Sequence, residues 1–209
     1  MKKIAVIAFL LAVCVTAGRA QESRQDVSLS GTGLLEPYIG SSTGVYVHSN
    51  TAIGALASYR FMLTPSSAIE GNYGLTYQNT IHYVSSHFGN QPLNKGYKVL
   101  TRNQEISGAY VRSFNFRKFN PFVEAGPAVL IFMPIMNSGT TDKDVKRQMN
   151  LAFLYGGGIA YEVSPSWDVR AEYRGLVTKV PTFGMTAPSF ATNKWYNISE
   201  PTLGVAYHF

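Results

Sequence analysis

Four charges on alternate positions, Asp168, Arg170, Glu172 and Arg174, are the densest candidate chemistry in this 209-residue chain. In an extended strand they share one face, while Trp167, Val169, Ala171 and Tyr173 share the other. A face of two acids and two arginines can stand in water, or it can line an enclosed polar interior in which each guanidinium bridges several carboxylates. It cannot face hydrocarbon, where an unpaired ion is far too costly.

The same parity in other extended segments adds Glu36, Glu70, Glu105, Glu124, Glu162 and Glu200 to that face, with Arg60 as a third base. Eight acids against three arginines support two functional readings. One is a paired core that fixes strand register and plugs the lumen. The other is a narrow, cation-preferring solute path through the acid excess.

A second group is basic: Lys95, Lys98 and Arg102, then Lys143, Lys146 and Arg147 against Asp142 and Asp144, then Lys179 and Lys194, a sum of +6. Such side chains either pair with the phosphates of lipopolysaccharide or form a solvated face. A third group is His48, His82 and His87 with Ser49, Ser85 and Ser86 nearby. His82 and Ser85 could be drawn as base and nucleophile of a lipid A-modifying enzyme. Neighbours in a polar loop are not a held hydrogen bond, so no catalytic residue is expected. No zinc-ligand spacing or phosphate-cradling loop is present, and neither metal nor cofactor is expected. His208 is expected to point inward beside a carboxylate.

Period-two alternation places eight strands to carry these groups, over 26–36, 51–63, 67–78, 100–114, 120–132, 149–163, 166–177 and 199–209. Over 149–163 the odd face is Leu151, Phe153, Tyr155, Gly157, Ile159, Tyr161 and Val163; the even face is mostly small. Segment 100–114 fits least well, because Arg112 shares a face with Ile106 and Tyr110 and must snorkel to the membrane edge. Connections alternate between short (64–66, 115–119, 164–165) and long (37–50, 79–99, 133–148, 178–198). A soluble sandwich has no reason to keep every other connection long, whereas a transmembrane barrel does.

Lys2 and Lys3 precede an apolar run from Ile4 to Val13 and small residues up to Ala20, which predicts a cleaved signal peptide over 1–20. Cleavage after Ala17 is an alternative. Leu11 to Cys14 is a poor lipoprotein box, since Val13 is branched. Cys14 is the only cysteine, so a chain from 21 to 209 has no disulfide or cysteine metal site. Loss of Lys2, Lys3 and Arg19 leaves 15 basic and 12 acidic residues, a balance of +3 that is too mild for a nucleic-acid partner. One domain over 21–209 is expected, and 13 Tyr, 12 Phe and 19 Gly favour strands and tight turns.

In residues 201–209, Leu203, Val205, Tyr207 and Phe209 alternate with small or polar residues. This ending resembles the C-terminal signature of Gram-negative outer-membrane barrels, which implies recognition by the barrel-assembly machinery. Leu56 to Phe61, Glu70 to Gly74, Tyr155 to Gly158 and Glu172 to Val177 resemble small outer-membrane proteins of the porin-family or OmpA-like barrel type. The resemblance implies an all-β, eight-stranded antiparallel up-and-down transmembrane β-barrel. It also implies a monomer in outer-membrane lipid, with a structural or surface-interaction role carried by the long loops. Members of that group mostly lack an assigned activity.

Overall fold

The computed structural model describes residues 24–40, 45–85, 95–135, 145–184, 192 and 194–209. The signal-peptide region lies outside these residues. Among the described residues ten strands form: β1 (Gln25–Leu34), β2 (Ile39–Gly40), β3 (Val45–Ser49), β4 (Ala52–Thr64), β5 (Ser67–Ser85), β6 (Lys95–Ser113), β7 (Phe119–Pro134), β8 (Gln148–Ser164), β9 (Trp167–Lys179) and β10 (Trp195–His208).

The sheet runs β2-β3-β5-β4-β1-β10-β9-β8-β7-β6, and a β5–β6 pairing closes it. Eight antiparallel strands, β1 and β4 to β10, make the barrel wall. Closure satisfies the backbone of every strand, which a wall in lipid requires. Three short turns join β4 to β5, β6 to β7 and β8 to β9. Bulges mark two of them, between Met62 and Thr64 and between Glu162 and Ser164. The long connections lie at the opposite end, which in barrels of this type is external.

Alternation sorts the side chains as the sequence predicts. On β9, Arg170 and Arg174 are buried in the interior, while Val169 and Tyr173 are exposed on the outer surface. Leu151 is 79% exposed and Leu154, three residues along the same strand, is fully buried. On β6, Arg112 does lie outside with Tyr110, and both side chains hydrogen-bond the Ser67 hydroxyl, at 2.8 and 2.9 Å.

Connections expected as loops over 37–50 and 79–99 are in part wall. The β3–β5 register, with Ser49 opposite Ile81, continues the β4–β5 register, with Ile53 opposite Tyr77. So β3 prolongs β4 past a break at Asn50 and Thr51, where the Asn50 N–H donates to the Thr80 carbonyl at 3.2 Å. In the same way β2 prolongs β1. A bulge in β5 between Thr76 and Asn79 reverses its facing: Thr76 is buried below it, and Asn79, Ile81 and Tyr83 are buried above it. That reversal is why a period-two reading stops at residue 78. The barrel is therefore taller on the side of β2, β3, β5 and β6.

The interior has two layers. Toward the short turns it is ionic; toward the long connections it is apolar, packed with Leu34, Leu130, Phe132, Leu154, Leu176 and Ile198. Gly156 makes the ionic layer possible, because a Cβ there would meet Glu124 Oε1 and the Tyr173 carbonyl, both at 2.9 Å. On the outer surface the Tyr155 ring lies over Gly175, directly opposite across the β8–β9 pair, and covers it.

Candidate functional site: the barrel interior and its external rim

Arg174, on β9, sits opposite Gly156 of β8 and Glu200 of β10, so its side chain crosses the lumen toward β6 and β7. Its Nη2 donates to Glu105 Oε1 at 2.6 Å, its Nη1 to Glu200 Oε2 at 3.0 Å and Glu105 Oε2 at 3.2 Å, and its Nε to Glu124 Oε1 at 3.3 Å. Glu172 completes the group at 3.5 Å. The guanidinium has no exposed surface at all.

Arg60 and Glu70 are directly opposed on β4 and β5 and bond at 2.6 Å. The Arg60 guanidinium also lies 4.8 Å from the Phe122 ring centre. Arg170 pairs with Asp26 at 2.7 Å, and His208 Nε2 lies 2.8 Å from Asp168. The carboxylates of Glu70, Glu124 and Glu172 lie within 4.8 Å of one another, flanked by Arg60 and Arg174. The interior thus brings together Arg60, Glu70, Glu105, Glu124, Asp168, Arg170, Glu172 and Arg174, with Glu200. Glu162 is half-buried near the short turns.

Asp26 is the member that the sequence reading passed over. It is completely buried and shares its face of β1 with Ser28, Ser30 and Thr32. Its even parity was the signal available. Glu36 lies just past β1 rather than on it, and Asn79 Nδ2 donates to its Oε1 at 2.7 Å.

Above the ionic layer, residues 180–184 fold into the external mouth. Phe183 is fully buried and meets Tyr83 and Phe132 edge-on, at 6.3 and 6.2 Å between ring centres. Gln148 Oε1 accepts the N–H groups of Thr182 (2.8 Å) and Phe183 (2.7 Å), and the Tyr83 hydroxyl donates to the Pro181 carbonyl at 2.6 Å. Phe183 adopts φ of 53°, a left-handed conformation that only a well-determined surrounding sustains in a non-glycine residue.

The rim cations are not all in loops. Lys98 and Arg102 are exposed on β6, and Arg102 covers the Tyr77 ring at 5.2 Å. Lys179 is the last residue of β9 and covers Trp195 at 5.5 Å. Lys194 donates to the Gly40 carbonyl, and Lys146 is exposed. The Lys95 side chain and Lys143 lie outside the described residues.

His48 and His82 stack on each other at 4.7 Å, and the Ser49 hydroxyl donates to Asn79 Oδ1. Among the described residues, neither histidine holds a serine; the Ser85 side chain, Ser86 and His87 lie outside them. On β10, Leu203 and Val205 are exposed on the outer wall. Tyr207 packs between Trp167 and Phe209.

Residues 5–209 match the family described as outer membrane protein beta-barrel domain. The chain belongs to that family. It is an outer-membrane β-barrel protein, and the exposed apolar wall faces lipid. No curated protein sequence is similar enough to count as a relative. Among solved structures it is similar to the outer membrane protein OprG from Pseudomonas aeruginosa, with a TM-score of 0.60 and 11% identity over 90% of this chain and 97% of that one. Neisserial surface protein A gives 0.56 and 15% over 90% and 98%. Ail, the attachment invasion locus protein of Yersinia pestis, gives 0.51 and 13% over 90% and 100%. At these identities the likeness is one of fold.

Proposed function

We propose that this barrel is a monomeric, non-enzymatic surface protein, exported with a cleaved signal peptide and assembled through its last strand. Its external rim holds phosphorylated outer-membrane lipid, and its interior is closed. The observation that carries the rim reading is the seating of Arg102 on Tyr77 and Lys179 on Trp195 at the top of the apolar wall. An amphipathic ring at the interface with a cation on its outer side suits a leaflet whose headgroups are phosphates. Lys146 and Lys194 extend that basic rim. Surface and attachment roles, which the names of Neisserial surface protein A and Ail carry, suit the same reading.

For the interior, the support is the filling by Arg174 and Phe183, which leaves between the two layers a cavity of only about 10 Å³, lined by Leu34, Leu56, Glu105, Phe132 and Glu200. An ionic layer in which Arg174 bridges several carboxylates and Arg60 and Arg170 each pair with one, under an apolar layer with an inserted aromatic ring, suits a filled eight-stranded lumen.

The rim is tested by the triple variant Arg102→Gln, Lys146→Gln, Lys179→Gln, with lipopolysaccharide measured in the detergent-purified protein. Retention should fall by at least about tenfold, since each cation near an anionic surface contributes about 1 kcal/mol. The heat-modifiable shift on gels should persist. Unchanged retention would sink the rim reading, and discrete conductance steps in planar bilayers would sink the closed interior.

A further inference from the structure

Above the lipid-facing wall, the tall side of the barrel carries on its outer surface a row of side chains from four neighbouring strand lines. Tyr38, next to β2, faces His48 of β3 at 6.2 Å and 23°; His48 stacks on His82 of β5 at 4.7 Å and 5°; His82 is directly opposite Lys98 of β6. Tyr46 stacks on Tyr38 at 5.6 Å from one row higher. The row exists because the chain changes facing at the Asn50 break and the Thr76–Asn79 bulge. Val47, Ile81 and Tyr83 turn into the core, and His48 and His82 turn out. Tyr38 is 65% exposed.

Position and chemistry narrow what such a row would meet. It lies five residues beyond Ile53 along the β3–β4 line, on the order of 10 Å above the apolar wall once strand tilt is allowed for. That is above the acyl chains and level with the sugar-phosphate zone of an outer leaflet. The rings of Tyr38, His48 and His82 stand face to face, so the row turns their edges outward, and those edges carry polar groups suited to sugar hydroxyls. The exposed Tyr38 and the half-buried His82 offer partners to such hydroxyls, whereas His48 Nδ1 is buried and holds its place inside the row. Lys98, at the end of the row, offers a point charge to phosphate.

We propose that Tyr38, His48, His82 and Lys98 form a binding site for a phosphorylated saccharide of the outer leaflet, with sugar hydroxyls on the outward edges of the ring row and phosphate on Lys98. This deepens the rim reading and rests on it for the presence of lipopolysaccharide beside the wall. It differs in being a site for the sugars, independent of the lipid anchor.

The test uses the full-length barrel in phosphatidylcholine nanodiscs. The probe is core oligosaccharide freed from lipid A by mild acid, with a phosphatase-treated sample in parallel, and binding is followed by calorimetry. The wild-type protein should bind the phosphorylated probe. Tyr38→Ser with His82→Ser should weaken binding of both samples by at least about tenfold, or about 1.4 kcal/mol. Lys98→Gln should reduce binding of the phosphorylated sample to the level of the treated one. The triple variant in Arg102, Lys146 and Lys179 should bind the soluble probe like wild type, so loss of lipopolysaccharide retention and loss of sugar binding separate. An unchanged heat-modifiable shift in each variant excludes misfolding. No binding by the wild-type protein, or undiminished binding by the Tyr38 and His82 variant, overturns the proposal.

Discussion

The lower and upper halves of the interior occupy one cylinder and are filled by different physics. The lower half uses few, long, charged side chains, and its geometry is directional: Arg174 must reach Glu105, Glu124 and Glu200 at once, and Gly156 must stay small to let it. The upper half uses many apolar side chains and an inserted stretch of chain around Phe183, held mainly by shape. An ionic layer fixes which strand faces which, because a one-residue slip would separate every pair. An apolar layer tolerates small shifts but demands volume. One half thus sets register and the other supplies packing.

The sharpest way to break this contrast is to remove one charge from the lower half. Among the described residues Arg174 is the cation in contact with Glu105, Glu124 and Glu200 together, so Arg174→Met leaves buried carboxylates without their counter-charge. A loss of about 3–5 kcal/mol is expected, measured by urea unfolding from lipid vesicles. Adding Glu105→Gln and Glu200→Gln to the same chain should recover much of it, since the penalty belongs to the stranded acids. A neutral Arg174→Met alone would show that the layer does not specify the fold.

The upper half should respond to lost volume and hold its charge pairs. Phe183→Ala should cost about 3 kcal/mol, the range for truncating a buried phenylalanine, with the cavity term included. Hydrogen exchange should place the loss at the external mouth, in the ends of β5 and β7 that carry Tyr83 and Phe132, while amides around Arg174 stay protected. Loss spread evenly over both halves would mean that the two layers are one cooperative unit.

This difference also decides what the sequence could reveal. The lower half was legible because charge is easy to see against alternating apolar residues. Arg60, Arg170 and Arg174 could be assigned to the interior by parity, together with the acids that they touch. Which acid meets which arginine was not legible, since that depends on barrel closure and on side chains from strands far apart in the chain. Asp26 was passed over although its parity was right. The upper half was hardly legible. Ile81, Tyr83 and Val99 lie beyond a bulge that reverses facing, and a bulge leaves no mark in an alternation count. Phe183 belongs to no strand, so nothing in residues 178–198 announced that part of that connection enters the mouth. Lys98 and Lys179 lie beyond the regular alternation, which assigns them to loops, yet they stand on β6 and β9.

The boundary between the two halves can be sharpened with pH at Glu36, which among the described residues is the acid on the apolar side. Burial pushes its carboxyl up to about 7, outweighing the stabilising hydrogen bond from Asn79; the Tyr83 and Tyr196 phenols face the same space. The folded chain therefore holds a proton on Glu36 that the unfolded chain releases near 4.5. Stability of the external end should be highest below that lower value, fall as pH rises toward 7, and level off above it. The fall should be about 2 kcal/mol, less than the full shift implies, because Glu36 is only half-buried. Glu36→Gln keeps an acceptor for Asn79 and removes the charge, so the mouth should be as stable at pH 8 as at pH 5, read by hydrogen exchange in β2 and β3. A variant with the wild-type slope would assign the pH dependence to the ionic layer and erase the distinction drawn between the two halves.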